Sequence, residues 1–209
     1  MAKSKRISFL AELCKGYEVV LDIGTDHGFV LKQAFDKHYI QHGIAADLRE
    51  MPLKQAKDNL KNYPVTYRLS DGFLAIKEHF DLAIIAGMGA YLICDIMDHA
   101  PKREVTYLLQ ANEKTHILRD YLMHHGFEII DEYLVIDRFY YIILKVKRGQ
   151  MILNEEDLYL GPMLKSKEES KAYYAHKIAQ IDKILPQADS TRKDELQKMR
   201  QIYESVKIW

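Results

Sequence analysis

Two kinds of apolar pattern alternate along the first 150 residues of the chain. Short runs of aliphatic residues predict buried strands at residues 19–23, 43–47, 65–69, 80–86 and 105–109. Between these runs, apolar residues recur at three- and four-residue spacing, which predicts helices. An alternation of strands and helices is typical of an α/β protein with a Rossmann-like sheet.

Two longer β-rich runs end this part of the chain. Residues 127–136 and 139–147 are joined by the dipeptide Asp137-Arg138, and they predict a hairpin. The expected sheet therefore has about seven strands, and the hairpin is expected to give it an antiparallel edge strand.

The pattern changes after residue 150. A polar connector passes through Gly161-Pro162, and two stretches with apolar residues at helical spacing follow on either side of Pro186. They predict an antiparallel helical hairpin that resembles a short coiled coil and packs on itself or on the sheet. We therefore expect a Rossmann-like domain at residues 1–150 and a helical-hairpin domain at residues 151–209. The two apolar stripes are Tyr174, Ile178, Ile181 and Leu185, then Leu196, Met199, Ile202, Val206 and Trp209.

The starts of these two helices have capping patterns. Ser166 and Glu169 have the spacing of a capping box, and Thr191 and Asp194 repeat it before the second stripe. The sequence therefore predicts caps at Ser166 and Thr191.

The turn after the first predicted strand carries the main chemical signal. Its sequence, Asp22-Ile23-Gly24-Thr25-Asp26-His27-Gly28, lacks the G-x-G-x-x-G spacing of dinucleotide-binding loops. It is closer to the acid-x-Gly-x-Gly-x-Gly loop of S-adenosylmethionine-dependent methyltransferases, with Asp26 in place of the middle glycine. Carboxylates attract the cationic amine and sulfonium of that cofactor and would repel a pyrophosphate. The structural alternative is an ordinary strand–turn–helix connection in which an aspartate caps the helix.

Acidic residues also follow the second and third predicted strands. Asp47, with Leu48 beside it, lies about 20 residues beyond the first loop, where an acid accepts both ribose hydroxyls of a nucleotide-type cofactor. Asp71 and Gly72 stand where an acid and a backbone N–H would meet an adenine ring. The alternatives are a helix cap at Asp47 and a simple Asp-Gly turn at Asp71.

The fourth predicted strand runs into Ala86-Gly87-Met88-Gly89. Its two glycines would leave backbone groups bare beside a bound methyl donor. The alternative is a flexible link between strand and helix.

Composition narrows the function classes only slightly. Thirty Lys and Arg residues balance thirty Asp and Glu residues, so no overall basic field indicates nucleic acid, although a local patch would suffice for RNA. Cys14 and Cys94 give neither a disulfide framework nor a metal-binding spacing. The N-terminus has no apolar leader and no run is long enough to span a bilayer, so we expect a cytoplasmic protein without a metal.

Five short motifs spread over nearly the whole chain share one resemblance. They are Ser4-Lys5-Arg6, Asp22-Ile23-Gly24-Thr25-Asp26-His27, Ile85-Ala86-Gly87-Met88-Gly89, Gln110-x-Asn112 and Gly161-Pro162. Together they resemble the TrmK family of bacterial tRNA (adenine(22)-N1)-methyltransferases. The chain departs from that family at Ala111, where proline is frequent, at Gly28, where alanine is frequent, and at Asp47, where glutamate also occurs.

The resemblance implies methyl transfer from S-adenosylmethionine to N1 of adenosine 22 in tRNA, with S-adenosylhomocysteine as product. Asp26 is the expected catalytic residue, orienting the base and stabilising its developing charge; alternatively it only holds the cofactor amine or caps the helix. Contacts with tRNA are expected from Lys5, Arg6, Gln110 and Asn112, and the enzyme is expected to be a monomer. The expected cofactor-binding residues are Asp22, Gly24, Thr25, Asp26, His27, Gly28, Asp47, Leu48, Asp71, Gly72, Ala86, Gly87, Met88 and Gly89.

Other function classes stay open at this point. One is a methyltransferase that acts on another RNA or on a small metabolite, with the helical hairpin as a lid. Another is a binding module whose pocket has lost its catalytic role. A dehydrogenase fits poorly, because the loop spacing does not suit a pyrophosphate.

Overall fold

The computed structural model describes residues 4–206, and a seven-stranded sheet forms the centre of this part of the chain. The strand order is β3-β2-β1-β4-β5-β7-β6, and the first five strands of this order are parallel. The strands are β1 Val19–Ile23, β2 His42–Asp47, β3 Val65–Leu69, β4 Leu82–Met88, β5 Thr106–Ala111, β6 Phe127–Ile136 and β7 Tyr140–Arg148. The predicted Rossmann-like α/β fold is thereby confirmed.

Helices cover both faces of the sheet, because alternate residues of the strands point to opposite sides. In β1, Leu21 and Ile23 belong to one apolar core and Val20 to the other. The core that holds Val20 also takes the apolar faces of the first three helices. The described helices are α1 Lys5–Glu12, α2 Phe29–Asp36, α3 Glu50–Asn59, α4 Ala90–Asp98, α5 Thr115–His124, α6 Glu155–Leu160, α7 Ser170–Ile184 and α8 Ser190–Ser205.

The predicted hairpin forms, but the antiparallel strand is not at the edge. β7 pairs antiparallel with both β5 and β6, so β6 is the edge strand and β7 is internal. The connection through α5 places β6 two positions beyond β5, and the hairpin then returns β7 into the gap between them. The run Ile142, Ile143 and Leu144 is buried throughout, as suits an internal strand.

The C-terminal helices form the predicted antiparallel pair. Tyr174 of α7 stacks near Tyr203 of α8, and Asp182 pairs with Arg200 further along the same two helices. The stripe residues contribute to the same apolar core as Leu21, so the pair packs on the sheet as well as on itself. Trp209, at the end of the second stripe, lies outside the described residues.

Both predicted caps of these helices are wrong. Ser166 ends a 3-10 turn, and its hydroxyl donates to the carbonyl of Met163 instead of capping α7, which begins at Ser170. The cap of α8 is Asp189, whose carboxylate accepts the backbone N–H of Arg192. Short polar residues occur throughout this connector, so spacing alone does not identify the capping residue.

A buried ion pair ties the C-terminal segment to the sheet. Arg119 Nε donates to Glu132 Oε1 at 2.8 Å, and both side chains are almost wholly buried. Arg119 Nη1 also donates to the carbonyl of Leu158, and Glu132 Oε2 accepts the backbone N–H groups of residues 163 and 164. Gly161 has a φ of +92°, and a Cβ there would lie 2.5 Å from Glu132 Oε2. The Gly161-Pro162 motif therefore lies where the chain must pass close to this pair.

Both cysteines are buried and neither forms a disulfide. Burial raises the pKa of the Cys94 thiol to about 11 and raises that of Cys14 as well. Among residues 4–206, no helix combines the length and apolarity needed to cross a membrane. The same part of the chain contains no cluster of three or more His, Cys, Asp or Glu side chains arranged to hold a metal ion.

Candidate active site

A cavity of about 500 Å³ lies at the carboxyl ends of the central parallel strands. The strand order reverses between β1 and β4, and this is where open α/β sheets bind ligands. We call it the first cavity. Its lining is Arg6, Ile7, Leu10, Asp22, Ile23, Gly24, Thr25, Asp26, His27, Phe29, Val30, Asp47, Leu48, Arg49, Ser70, Asp71, Gly72, Ala86, Gly87, Met88, Leu92 and Ile96.

The loop after β1 is held tightly against β2. The backbone N–H groups of Gly24 and Thr25 both donate to the carbonyl of Ala46, at 2.8 and 3.0 Å. Gly24 has a φ of +72°, and a Cβ at this position would lie 2.1 Å from the terminal methyl of Met88. Only glycine adopts this conformation easily and leaves the floor of the cavity open.

Asp22 is buried at the end of β1 and accepts the Thr25 hydroxyl at 2.8 Å. The pKa of Asp22 is raised to about 6, mainly by burial; the nearby carboxylates of Asp47 and Asp26 also raise it, while the hydrogen bond from Thr25 and the charge of Arg6 lower it. A cation bound beside Asp22 would relieve this cost and favour the ionised carboxylate.

Asp26 is the most exposed acid of the loop. Its φ is +50°, an uncommon value for a residue other than glycine, and 62% of its side chain is accessible. Its backbone N–H points at Asp47 Oδ2 at 3.4 Å, and His27 Nε2 lies 3.5 Å from Asp26 Oδ2. Asp26 thus lines the first cavity with a side chain that stays accessible to solvent.

Asp47 and Asp71 occupy the adjoining strand ends. Asp47 is buried, and its Oδ1 accepts the backbone N–H of Arg49 at 3.0 Å. Asp71 is exposed at the end of β3, and Gly72 packs on Ile96. Leu48, with 64% of its surface accessible, offers an apolar face next to Asp47.

The first cavity is acidic and has apolar walls. Four aspartates line it against the two arginines Arg6 and Arg49, while Leu92 and Ile96 of α4 supply apolar surface. This combination suits a ligand with a cationic end, vicinal hydroxyls and a flat ring. A pyrophosphate would meet repulsion from the aspartates.

Arg6 closes one side of the first cavity through a chain of hydrogen bonds. Its Nη1 donates to Gln110 Oε1 at 2.7 Å, and the same oxygen accepts the backbone N–H of Gly87 at 3.1 Å. Gln110 Nε2 donates to Asn112 Oδ1, and Asn112 Nδ2 donates to the carbonyl of Gly87 at 2.8 Å. The Arg6 guanidinium also lies 5.2 Å from the ring centre of Tyr141.

A second cavity, of about 760 Å³, lies on the other side of this hydrogen-bond network. It shares Arg6 and Gly87 with the first cavity, so these two residues form the boundary between the cavities. Strand β7 and helix α7 supply most of its walls. Its lining is Arg6, Gly87, Asn112, Arg138, Phe139, Tyr140, Tyr141, Tyr173, His176, Lys177 and Gln180.

The structure brings together most of the residues expected to bind the cofactor; Gly28 and Gly89 do not line the first cavity. Gly28 begins α2, and a Cβ there would collide with Leu60, so its visible role is packing. Gly89 precedes α4 and faces open space.

The four residues expected to contact RNA occupy different places. Arg6 lines both cavities and Asn112 lines the second. Gln110 is fully buried and lines neither, so its observed role is to hold Arg6 and Gly87. Lys5 is exposed on α1, and its backbone N–H donates to Asp137.

Sequence reasoning missed two groups of lining residues. In the first cavity these are Ile7, Leu10, Ile23, Phe29, Val30, Arg49, Ser70, Leu92 and Ile96. Leu92 and Ile96 are four residues apart on α4, a spacing that marks one helix face but does not separate a ligand wall from a core. The walls of the second cavity come from distant parts of the chain, and no local motif joins them.

Three comparisons place the chain among known proteins. The family model TrmK, tRNA (adenine(22)-N(1))-methyltransferase, matches residues 20–208. The tRNA (adenine(22)-N(1))-methyltransferase of Bacillus subtilis is 31% identical over 141 residues, which span 63% of this chain and 59% of that relative. The Streptococcus pneumoniae protein Sp1610 in complex with S-adenosyl-L-methionine is 27% identical with a TM-score of 0.86, and the match covers 97% of this chain and 98% of that one.

A further solved structure supports the fold. A Streptococcus agalactiae protein of the NADB-Rossmann superfamily is 26% identical, with a TM-score of 0.89 over 99% of this chain and 97% of that chain. The family model covers the loop after β1, the glycines after β4 and the C-terminal helices together. The chain therefore belongs to the TrmK family of tRNA (adenine(22)-N(1))-methyltransferases.

Proposed function

We propose that this protein transfers the methyl group of S-adenosylmethionine to N1 of adenosine 22 in tRNA. The observation that carries the proposal is an acidic first cavity at the sheet reversal, separated by Gly87 and Arg6 from a second cavity, in a chain of the TrmK family. The S-adenosyl-L-methionine bound to the Streptococcus pneumoniae protein supports this cofactor.

The residues of the first cavity suit the parts of this cofactor one by one. Asp47 has a carboxylate that can accept both ribose hydroxyls, and Leu48 offers apolar surface beside it. Asp71 and Gly72 stand where the adenine ring would lie. Asp22 and the loop that follows it would attract the methionyl amine.

The reaction requires correct positioning of the two substrates more than a general base. Adenine N1 has a lone pair in the ring plane, which attacks the methyl carbon as the sulfur–carbon bond breaks and its electrons pass to sulfur. The products are S-adenosylhomocysteine and an adenine that is cationic until it loses a proton from N6. The protein must therefore unpair N1, align it with the sulfur–methyl bond and exclude water.

We assign to Asp26 the stabilisation of this developing positive charge. Asp26 lines the first cavity with an accessible side chain, and its backbone N–H is held by Asp47. Asp26→Asn is the sharpest test, because asparagine tolerates the same positive φ and removes only the charge. We expect a fall in kcat of about tenfold or more with an unchanged Kd for the cofactor. Full turnover of this variant at saturating tRNA and cofactor would leave Asp26 as a cofactor-binding or capping residue only.

The two predicted parts of the chain have separate roles in this proposal. Residues 1–150 contain the whole lining of the first cavity, and residues 151–209 complete the second cavity through α7. We propose that a single copy acts on tRNA in the cytoplasm, since both cavities are built by one chain. Light scattering of the protein–tRNA complex would test the stoichiometry.

Transfer of a labelled methyl group from S-adenosylmethionine into unmodified tRNA tests the proposed function. We expect incorporation into tRNA with adenosine 22 and none when that adenosine is replaced by guanosine. If the protein binds the cofactor but labels no tRNA, the acceptor is another RNA or a small metabolite. If it binds no cofactor, the chain is a binding module without this activity.

A further inference from the structure

The boundary between the two cavities restricts where the acceptor base can enter. A methyl group moves directly between atoms that lie about 3 to 3.5 Å apart, so the base must meet the donor where the two cavities adjoin, with no protein atom between them. Gly87 and Arg6 line both cavities. Gly87 has a φ of +81°, and a Cβ there would lie 2.9 Å from Arg6 Nη1, so a side chain at residue 87 would crowd the place where the cavities adjoin.

The second cavity has the lining of a site for a flat ring. Tyr140 is fixed by Tyr173 and His176, with ring centres 5.7 and 4.9 Å away. Tyr141 lies beneath the Arg6 guanidinium. These contacts between lining residues hold the aromatic wall in place, which leaves the cavity preformed.

Phe139 differs from these rings because it is not packed into the wall. It lies between β6 and β7, where 68% of its surface is accessible, and its ring is nearly perpendicular to that of Tyr141, with centres 6.3 Å apart at 88°. Exposure of this apolar ring to water is unfavourable. A flat partner that stacked on the ring would remove its surface from water and gain free energy.

Cationic side chains flank the same cavity. Within residues 4–206, neither Arg138 nor Lys177 has a carboxylate oxygen within 4 Å of its charged nitrogens, and Lys177 Nζ lies 5.7 Å from the Tyr173 ring centre. A nucleotide carries a phosphate as well as a base. Arg138 and Lys177 line the cavity and could contact that phosphate.

We propose that the second cavity receives the unpaired target adenine of the tRNA and that Phe139 stacks on that base. The proposal rests on the proposed function and deepens it, because it names the acceptor site and a residue that positions the base. Stacking on an aromatic side chain holds a base in the extruded state without reading its sequence.

Substitution of Phe139 tests this role. Phe139→Ala should lower kcat/KM for tRNA by about 10- to 100-fold, since stacking of a base on an aromatic ring has effects of this size, and Phe139→Trp should restore most of it. The Kd for S-adenosylmethionine should not change in either variant. Ile152→Ala is the matched control, because it removes an apolar side chain that is 96% exposed and lines neither cavity.

A photoreactive base locates the site directly. Unmodified tRNA with 8-azidoadenosine at position 22 should crosslink to residues 138–141 or 173–180 of the wild-type protein. If the wild type methylates adenosine 22 but Phe139→Ala keeps full kcat/KM and the crosslink falls elsewhere, the acceptor-site proposal is wrong and the proposed function stands. If the wild type labels no tRNA, both are wrong.

Discussion

At the scale of single residues, Asp22 is a buried acid whose pKa is raised by its surroundings. Its carboxyl is enclosed at the end of β1 and faces two further aspartates, which raises its pKa to about 6. A buried carboxylate without a partner destabilises the fold. A carboxyl group at such a position therefore indicates a site that binds a cation. In the proposed function that partner is the cofactor amine.

Cofactor binding should therefore depend on pH. The cationic amine binds the ionised form of Asp22, so a proton on Asp22 competes with the cofactor. We expect the Kd for S-adenosylmethionine to be constant near pH 7 and to rise below pH 6, approaching about tenfold per pH unit for a single competing proton. Calorimetric titrations from pH 5 to pH 7 measure this, with Asp22→Asn as the control. That variant should bind weakly with a flat profile; an equal slope in both proteins would place the titrating group elsewhere.

At the scale of elements, the loop between β1 and α2 depends on a left-handed backbone conformation at Gly24, which is unfavourable for residues with a Cβ. Gly24 and Gly126 have the same φ of +72°, yet a Cβ at Gly24 would meet Met88 and one at Gly126 would meet nothing within 4 Å. The two positions therefore separate conformational strain from steric contact.

Alanine substitutions at these glycines should have equal effects on stability and unequal effects on binding. Gly24→Ala and Gly126→Ala should each lower the free energy of unfolding by about 1 kcal/mol, because alanine resists a left-handed conformation. Only Gly24→Ala should also raise the Kd for S-adenosylmethionine, since its methyl group pushes Met88 into the first cavity. Urea unfolding and equilibrium dialysis measure the two quantities. An unchanged Kd would mean that Met88 finds another rotamer outside the cavity.

The elements also indicate how far the sequence leads. Parallel strands were predictable because runs such as Val19–Ile23 are apolar apart from the acid near the carboxyl end, and the position of that acid follows from the strand assignment. The internal position of β7 and the caps of α7 and α8 could not be predicted. The position of β7 depends on which strands it pairs with, and each cap depends on which side chain reaches the free N–H groups of the helix. The second cavity was likewise hidden, because α1, β4, β7 and α7 meet there only after folding.

At the scale of the whole molecule, the sheet and the C-terminal helices share one apolar core. Tyr174, Ile181 and Leu196 pack in the same cluster as Leu21 and Leu109. Residue 150 separates two sequence patterns, but the apolar core continues across it. The Arg119–Glu132 pair links the two parts through its hydrogen bonds with residues 158, 163 and 164, and Lys167 pairs with Asp131 across the same boundary.

Breaking that link should destabilise the whole protein. Glu132→Gln leaves Arg119 buried without a counter-charge, and we expect the free energy of unfolding to fall by about 3 kcal/mol. Glu195→Gln is the control, because its ion pair with Arg192 is more than half exposed and should contribute less than about 0.5 kcal/mol. Urea midpoints of the two variants give the comparison. Equal midpoints would mean that water reaches Arg119 in solution.

The two enclosed thiols have a practical consequence. Reagents that label cysteine attack the thiolate, which Cys14 and Cys94 scarcely form at neutral pH and do not present to solvent. The natural chain should therefore react little with cysteine-specific fluorescent dyes. A cysteine introduced at the exposed Gln187, between α7 and α8, would carry the only reactive thiol of the described structure. Energy transfer from a dye there to a labelled tRNA could report in real time how the helical pair approaches its RNA.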